Sequence, residues 1–438
     1  MTAATHSCGV AAFLPVKGQS DRVANKNIRS FSGEPFFLFT LRKLLRCDAI
    51  DAVFIDSEDE TILHLGEQLG AIPLPRDPSL ATNQTDGHEL FWNEVRQVDA
   101  DIYVQSLCTS PFVRTETMTH AIEMVRSDTS IDSVVLGHQG AAYRWADGHP
   151  AYGDRIPNSV DLPTDEIEGM SLYVVRGDVA KRTKRRIGER PRMIHGEPIE
   201  LIDVNTEADF SLAECVATGL RSSEARRFRF LNLFLSTAML SDVLDEFGHD
   251  GVLANEYSPN YPEARLFGRA RPISIRSCEP DENAVGIYDA LQSYQDVVSN
   301  DVIVLQTDLP DYAYFGELNM TLAMRCGAIG AVIGGTTRDS RQTSEAGFPV
   351  FAKGTACRDI KGRGTVRSMN MPIELDGITI EPDNLVVADS DGIVVVPRRI
   401  EDQVLARAID IVRTESNIMA DVCRNVDIAR LIERHGFF

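Results

Sequence analysis

Two stretches of this chain place cations, small residues and oxygen donors at spacings that suit anion chemistry. In LPVKGQSDRVANKNI, at 14–28, Lys17, Gly18, Ser20, Arg22 and Lys26 share one short loop after an apolar run. A glycine lets backbone amides approach phosphate oxygens, a serine hydroxyl can donate to them, and the three cations neutralise their charge. That set suits nucleotidyl transfer, in which an oxygen attacks an α-phosphorus, pyrophosphate leaves, and cations, usually with magnesium, stabilise both groups. In GELNMTLAMRCGAIGAVIGGTTRD, at 316–339, Arg338 can grip a carboxylate through two parallel hydrogen bonds. Asp339 beside it can hold a hard divalent cation directly or through water. An oxo acid bound there would have its carbonyl polarised, which both retro-aldol cleavage and β-decarboxylation require.

Such loops need rigid elements behind them, and the pattern of the chain supplies α/β architecture. The N-terminal half alternates apolar runs (AAFLPV, DAVFID, DIYVQSL, SVVLG, SLYVVRG, IELIDV) with helical segments (FFLFTLRKLLR, ETILHLGEQLG, SLAECVATGL). This predicts a largely parallel sheet wrapped by helices, with the first loop at the carboxyl end of the first strand, where such sheets bind nucleotides. The C-terminal half predicts strands at DVIVLQ, GAVIGG, PVFAKG, IELDGITI and GIVVVP, a helix at LNMTLAMRCG, and a final helix from Glu401. LNLFLSTAMLSDVLDEFG reads as a helix stopped by Gly248. A length of 438 residues exceeds what one core usually supports, so two domains are expected, 1–225 and 226–438.

Composition narrows the partners. A net charge of -21 argues against nucleic acid, whose backbone is bound by clustered Lys and Arg. The one basic run, KRTKRRIGERPR at 181–192, reads as a solvated face, with the border of an anion site as the second reading. No apolar stretch approaches the ~18 residues of a membrane span and no charged-then-apolar leader opens the chain, so a cytoplasmic protein without membrane contact is expected. Eight cysteines without CxxC spacing, and nine histidines without HxxxH or HExxH, predict neither disulfides nor zinc, so any metal should be oxygen-bound. His88 and His120 read as structural, Asp209 as a helix cap, and Asp389 and Asp391 as a turn between strands.

The first motif, continued by IRSFSGEPFFLFTL, IPLPRDPSLATNQTDG, YVQSLCTSPFVRT and IELIDVNTEADFSLAE, resembles the CMP-sialic acid synthetase family of cytidylyltransferases over roughly residues 9–220. The resemblance implies a Rossmann-like nucleotidyltransferase fold, CTP as co-substrate, and Lys17, Ser20, Lys26 and Asn27 on its phosphates and ribose. It also implies Arg76 and Gln105 lining the nucleotide and acceptor pocket, and magnesium on Asp203. The family commonly has a second aspartate where this chain has Asn205, a ligand without negative charge, and arginine where it has Lys17.

The second motif, with LSTAMLSDVLDEFG, FPVFAKGTACRDIKGRG and LVVADSDGIVVVP, resembles the family of the regulator of ribonuclease E activity and the class II aldolases acting on 4-hydroxy-4-methyl-2-oxoglutarate. That likeness implies a layered, swivelling-type α/β domain with Arg338 on a pyruvate-like carboxylate and Asp339 on magnesium or manganese. Glu317 would serve metal-bound water or proton transfer, and Gly316 would let the helix start approach substrate. Where the family often has Asp-Gly, this chain has Gly334 and Gly335. Together the likenesses imply a bifunctional enzyme on small anionic, pyruvate-derived substrates, assembled as a homo-oligomer, a hexamer or trimer of dimers. The contrasting expectation is a regulatory or scaffold protein with a degenerate nucleotide-binding half.

Overall fold

The computed structural model describes residues 7–20, 22–82, 84–279, 282 and 287–436. Contacts divide the chain into two units, Met1–Val216 and Ala217–Phe438.

In the first unit, β1 (Ser7–Pro15), β2 (Ala52–Ser57), β3 (Ile72–Pro75), β4 (Asp99–Ser106), β5 (Ser133–Ala141), β6 (Thr164–Arg176) and β7 (Pro191–His195) form one sheet in the order β7-β5-β6-β4-β1-β2-β3. β1 runs parallel to β2 and β4, and β6 is antiparallel to both β4 and β5. Alternation along β1 explains its unbroken apolar run. Val10, Ala12 and Leu14 pack on one face with Leu41 of α1 (Phe36–Leu45) and Ile122 of α4 (Thr115–Ser127). Ala11 and Phe13 pack on the other with Phe91 of α3 (Gly87–Val95) and Val179 of α5 (Gly177–Thr183). A strand buried on both faces needs apolar residues at every position. The other helix of this sheet, α2 (Glu60–Gln68), starts from an Asp59 cap.

IELIDV is not a strand. Pro198–Leu201 forms a 3-10 turn with Pro198 in its first turn, and the side chains of Glu197 and Glu200 cap it reciprocally. The Glu200 carboxylate also accepts from the Arg114 amide and the Thr117 hydroxyl at the start of α4. The strand at that edge of the sheet is β7. Helix α6 (Glu207–Leu231) then runs through the junction of the two units and absorbs SSEARRFRF. Its start is a reciprocal cap: the Asp209 amide donates to Thr206 Oγ1, and Asp209 Oδ2 accepts from the Asn205 and Thr206 amides. LNLFLSTAMLSDVLDEFG contains a turn followed by α7 (Thr237–Glu246), which begins where the Ser236 hydroxyl caps it.

In the second unit, β8 (Ser258–Pro259), β9 (Leu266–Ser277), β10 (Asp301–Thr307), β11 (Gly330–Thr337), β12 (Val350–Thr355), β13 (Gly364–Met369), β16 (Leu385–Asp389) and β17 (Gly392–Val396) form a second sheet. Its order is β8-β12-β11-β10-β9-β16-β17, with β13 added on β9; β9 to β12 are mutually parallel. Helices α8 (Ile287–Gln292), α9 (Glu317–Cys326) and α10 (Ser340–Glu345) connect its strands, and α11 (Glu401–Cys423) and α12 (Ile428–His435) close the chain. IELDGITI is a hairpin of β14 (Ile373–Leu375) and β15 (Ile378–Ile380), because Asp376 and Gly377 both take positive φ, the backbone of a tight two-residue turn. Among the described residues no helix is long and apolar enough to cross a membrane, and all eight cysteines are free.

The central strand β9 escapes a hydropathy reading because it carries Arg269 and Arg271. Both are buried and neutralised: Arg269 by Glu224 of α6 and Glu401 of α11, Arg271 by Asp301 of β10. The Arg269 guanidinium also lies over the Phe228 ring, 4.6 Å from its centre. Removing one partner of such a pair leaves uncompensated buried charge. Arg269→Met should therefore lower the unfolding free energy by about 3–5 kcal/mol in urea titrations. Adding Glu401→Leu should recover part of that loss, and an unchanged midpoint for the single variant would contradict the assignment.

Candidate functional site

The first site is built on the loop leaving the carboxyl end of β1. Lys17, Ser20, Arg22, Lys26, Asn27 and Arg76 line one cleft, closed by Pro15, Leu90, Leu107 and Cys108. Lys26 is buried to 6 % exposure, and its ammonium donates to the Val204 carbonyl at 2.8 Å. Burial lowers its pKa, partly offset by neighbours that include Asp203. Asn27 Nδ2 donates to the Lys17 carbonyl at 2.7 Å, while Asn27 Oδ1 faces the Cys108 thiol at 3.5 Å. Asn27 thus braces both ends of its own loop, and burial pushes the Cys108 thiol up to about 11, so it stays protonated.

Arg76 is a wall of the cleft held from behind. Its guanidinium donates to Asp56 at 3.2 Å, to Glu58 at 2.6 Å and to the Val16 carbonyl at 3.1 Å, leaving a buried Nε without a partner. Gly18, expected to present its amide to phosphate, instead donates it to Glu58 Oε1 at 2.7 Å. One carboxylate therefore joins the glycine turn to Arg76.

Gln105 is not a wall of the cleft. It is fully buried, with Nε2 donating to Glu94 at 2.6 Å and Oε1 facing Arg186 at 3.5 Å. The Glu94 and Asp56 carboxyls interact in the buried interior, where Asp56 Oδ1 and Glu94 Oε1 have no other hydrogen-bond partner. Burial, then the Asp56 charge, pushes the Glu94 pKa well above its ordinary 4.5. A buried relay thus runs from Arg76 through Asp56, Glu94 and Gln105 to Arg186. Sequence reading took the 181–192 run as solvated, which holds for Lys181, Arg182, Lys184 and Arg185, but Arg186 is buried.

Asp203 and Asn205 flank the Val204 carbonyl that Lys26 holds, so the expected metal turn is tied to the phosphate loop. Asn205 Nδ2 donates to Asp203 at 2.5 Å, acting as a partner of the carboxylate.

The second site gathers Gly316, Glu317, Arg338 and Asp339. Asp339 adopts left-handed backbone at φ 53°, and its Oδ2 accepts from the Glu317 amide at 3.1 Å, at the start of α9. A Cβ on Gly316 would stand 2.5 Å from that oxygen and 2.9 Å from Arg338 Cγ, so the position must be glycine for the loops to close. Arg338 Nη1 donates to Asp359 at 2.8 Å and Nε lies 3.7 Å from Asp339. Nε is buried without a hydrogen-bond partner, while the side chain as a whole is one-third exposed. The Glu317 side chain is exposed at the rim. Asp359, which sequence reading missed, follows Arg358 in FPVFAKGTACRDIKGRG just beyond β12; a second Arg-Asp pair past a strand end was the available signal.

Among the described residues no group of three or more His, Cys, Asp or Glu side chains is arranged to hold a metal ion. The oxygen donors suit magnesium, which keeps several waters and takes one or two carboxylates beside a bound anion. Asp203 and Asp339 carry the carboxylates that could take part in holding such an ion.

The Cytidylyltransferase family pattern matches residues 11–144, and the Aldolase/RraA pattern matches 237–395. A Halalkalibacterium halodurans protein provisionally named 4-hydroxy-4-methyl-2-oxoglutarate aldolase is 30 % identical over 175 residues, 40 % of this chain and 78 % of that protein. The CMP-N,N'-diacetyllegionaminic acid synthase of Legionella pneumophila is 24 % identical over 222 residues, 47 % of this chain and 94 % of that protein. Among solved structures, Streptomyces coelicolor RraAS2, of the RNase ES inhibitor RraA protein family, is 25 % identical over 43 % of this chain and 93 % of its own, with a TM-score of 0.39.

A carboxyl held neutral by burial binds its proton more tightly folded than unfolded. Its stabilising contribution is full below the unfolded pKa, near 4.5, and is lost as pH rises toward the raised folded value. Glu94→Gln removes that titration. The variant should gain stability relative to the parent between pH 5 and pH 8 in denaturant midpoints, whereas curves that stay parallel would rule out a neutral Glu94.

Proposed function

Because the chain belongs to the cytidylyltransferase family in its N-terminal half and to the Aldolase/RraA family in its C-terminal half, we propose that it is a bifunctional enzyme. The first site transfers a cytidylyl group from CTP to a 2-keto-3-deoxy sugar acid or related acid, with N,N'-diacetyllegionaminic acid, named for the Legionella relative, as the first candidate. The second cleaves or forms a pyruvate-derived oxo acid such as 4-hydroxy-4-methyl-2-oxoglutarate, the substrate named for the Halalkalibacterium relative. The chain works as a homo-oligomer.

The observation that carries the first activity is the convergence of Lys17, Ser20, Arg22, Lys26, Asn27 and Arg76 on one cleft. The acceptor hydroxyl oxygen bonds to the α-phosphorus, its proton passes to solvent water, and the bond to the bridging oxygen of pyrophosphate breaks as pyrophosphate leaves. Lys17 and Arg22 offset the charge of the leaving group. Lys26, held by the Val204 carbonyl in a buried position, is a fixed charge that needs no reorganisation when phosphate charge develops. Asp203 would hold magnesium, which would neutralise phosphate oxygens when bound.

In the second site, the substrate carboxylate takes the free edge of Arg338, whose buried Nε has no other hydrogen-bond acceptor. Asp359 and Asp339 keep the guanidinium oriented until that carboxylate arrives. Asp339 would hold the divalent ion, which supplies polarisation of the substrate carbonyl. Glu317, exposed at the rim, exchanges a proton with the leaving fragment in this reading. Cleavage of 4-hydroxy-4-methyl-2-oxoglutarate in this way yields two pyruvates.

The test follows pyrophosphate release from CTP with N,N'-diacetyllegionaminate, and separately pyruvate release from 4-hydroxy-4-methyl-2-oxoglutarate, each with magnesium. Lys26→Ala should lower the first rate about 10²–10³-fold and leave the second unchanged, and Arg338→Ala the reverse, the range seen when one charge-stabilising donor is removed. Chelation of divalent ions should silence both. Absence of turnover in both assays would overturn the enzyme reading in favour of a binding role.

A further inference from the structure

Five arginines are at least nine-tenths buried among the described residues: Arg42, Arg76, Arg186, Arg269 and Arg271. Four are neutralised by carboxylates, Arg42 by Glu34, Arg76 by Asp56 and Glu58, Arg269 by Glu224 and Glu401, and Arg271 by Asp301. Arg186, 8 % exposed, has no such partner among the described residues. Its contacts are neutral: Gln105 Oε1 at 3.5 Å, Met170 Sδ at 3.8 Å, and the Tyr173 ring 3.9 Å from the guanidinium carbon. Asp86, whose carboxylate accepts from the first amides of α3, feels the Arg186 charge without forming an ion pair with it, and Glu168 accepts from the Tyr173 hydroxyl. A buried cation without a direct ion pair is costly, and an arriving anion offsets that cost.

The structure makes room for this side chain deliberately at one point. A Cβ on Gly87 would stand 2.6 Å from Arg186 Nη1, so a larger residue at this first position of α3 would displace the guanidinium. The position adjoins the nucleotide cleft. Thr85 and Leu90 line the cleft on either side of Gly87, and Leu107 lines it two residues beyond Gln105. The phosphate-binding cations stand on the β1 loop, whereas Arg186 meets Gln105 and Tyr173, which are paired across β4 and β6.

From these observations we infer that Arg186 is the docking point for the carboxylate of the acceptor that receives the cytidylyl group. The inference rests on the cytidylyl-transfer reading. A planar guanidinium with its face on a tyrosine ring offers its edge to a planar carboxylate, and the phosphates already have Lys17, Arg22 and Lys26. Gln105, bonded to both Arg186 and Glu94, aligns that edge.

The experiment titrates the full chain, preloaded with magnesium and a CTP analogue bearing a methylene bridge between the α- and β-phosphorus, with N,N'-diacetyllegionaminate and with its carboxamide. The parent protein should bind the acid at least tenfold more tightly than the amide. Arg186→Gln should bind both equally, with affinity for the CTP analogue unchanged within twofold. Gly87→Ala, which keeps the charge but displaces the guanidinium, should lose part of the preference, and it guards against a folding defect specific to the Arg186 variant. An acid preference that survives Arg186→Gln, or an equal loss of nucleotide affinity, would overturn the assignment. So would binding of the nucleotide analogue with no binding of the acid. Pyrophosphate release separates the two readings: an Arg186-dependent preference for the acid without turnover leaves the site standing and removes the transfer activity.

Discussion

The guanidinium of Arg76 is the interaction on which the first unit's chemistry hangs. It is almost wholly buried at the back of the cleft, and its bonds to Asp56, Glu58 and the Val16 carbonyl join the carboxyl ends of β1, β2 and β3 at one point. Glu58 passes the constraint on to the Gly18 amide. The loop that carries Lys17, Ser20 and Arg22 is therefore set by a buried ion cluster. Such a cluster is expensive to break and geometrically specific, because desolvated charges tolerate little displacement of their partners.

The second unit repeats the logic with other residues. Arg269 and Arg271 let a central strand carry cations through a core, at the cost of requiring Glu224, Glu401 and Asp301 in register around them. At the site itself, Arg338 rests on Asp359 and Asp339, with its Nε unbonded. In both sites internal carboxylates hold the cations in place, and the difference lies in depth. Arg76 is sealed in, while Arg338 is one-third open and able to exchange partners. The same distinction isolates Arg186, buried like Arg76 but without a carboxylate in ion-pair contact among the described residues.

Local patterning made the helices and most strands legible, because buried parallel strands and capped helices have compositions that differ from their surroundings. FFLFTLRKLLR, LNMTLAMRCG and DVIVLQ sit where their periodicity puts them. IELIDV was misread because its alternation is strand-like while its fate was decided by Pro198 and by Glu200, whose carboxylate is consumed by α4, distant in sequence. β9 was missed for the opposite reason: a run containing two arginines reads as exposed unless their partners 30 and 132 residues away are known.

The chain's sequence alone determined the chemistry of both loops, since residue types and short spacings dictate which anions a loop can neutralise and which backbone positions need glycine. Only the tertiary structure decided which of those groups are available. It turned the Gly18 amide toward Glu58, withdrew Gln105 into a buried relay, paired Asn205 with Asp203, and added Asp359 to the second site. It also separated Arg186 from six exposed basic neighbours in the same run, Lys181, Arg182, Lys184, Arg185, Arg190 and Arg192. The physical reason is that charge is neutralised through space, by whichever group the fold brings within hydrogen-bonding distance, and that distance is not encoded in sequence separation.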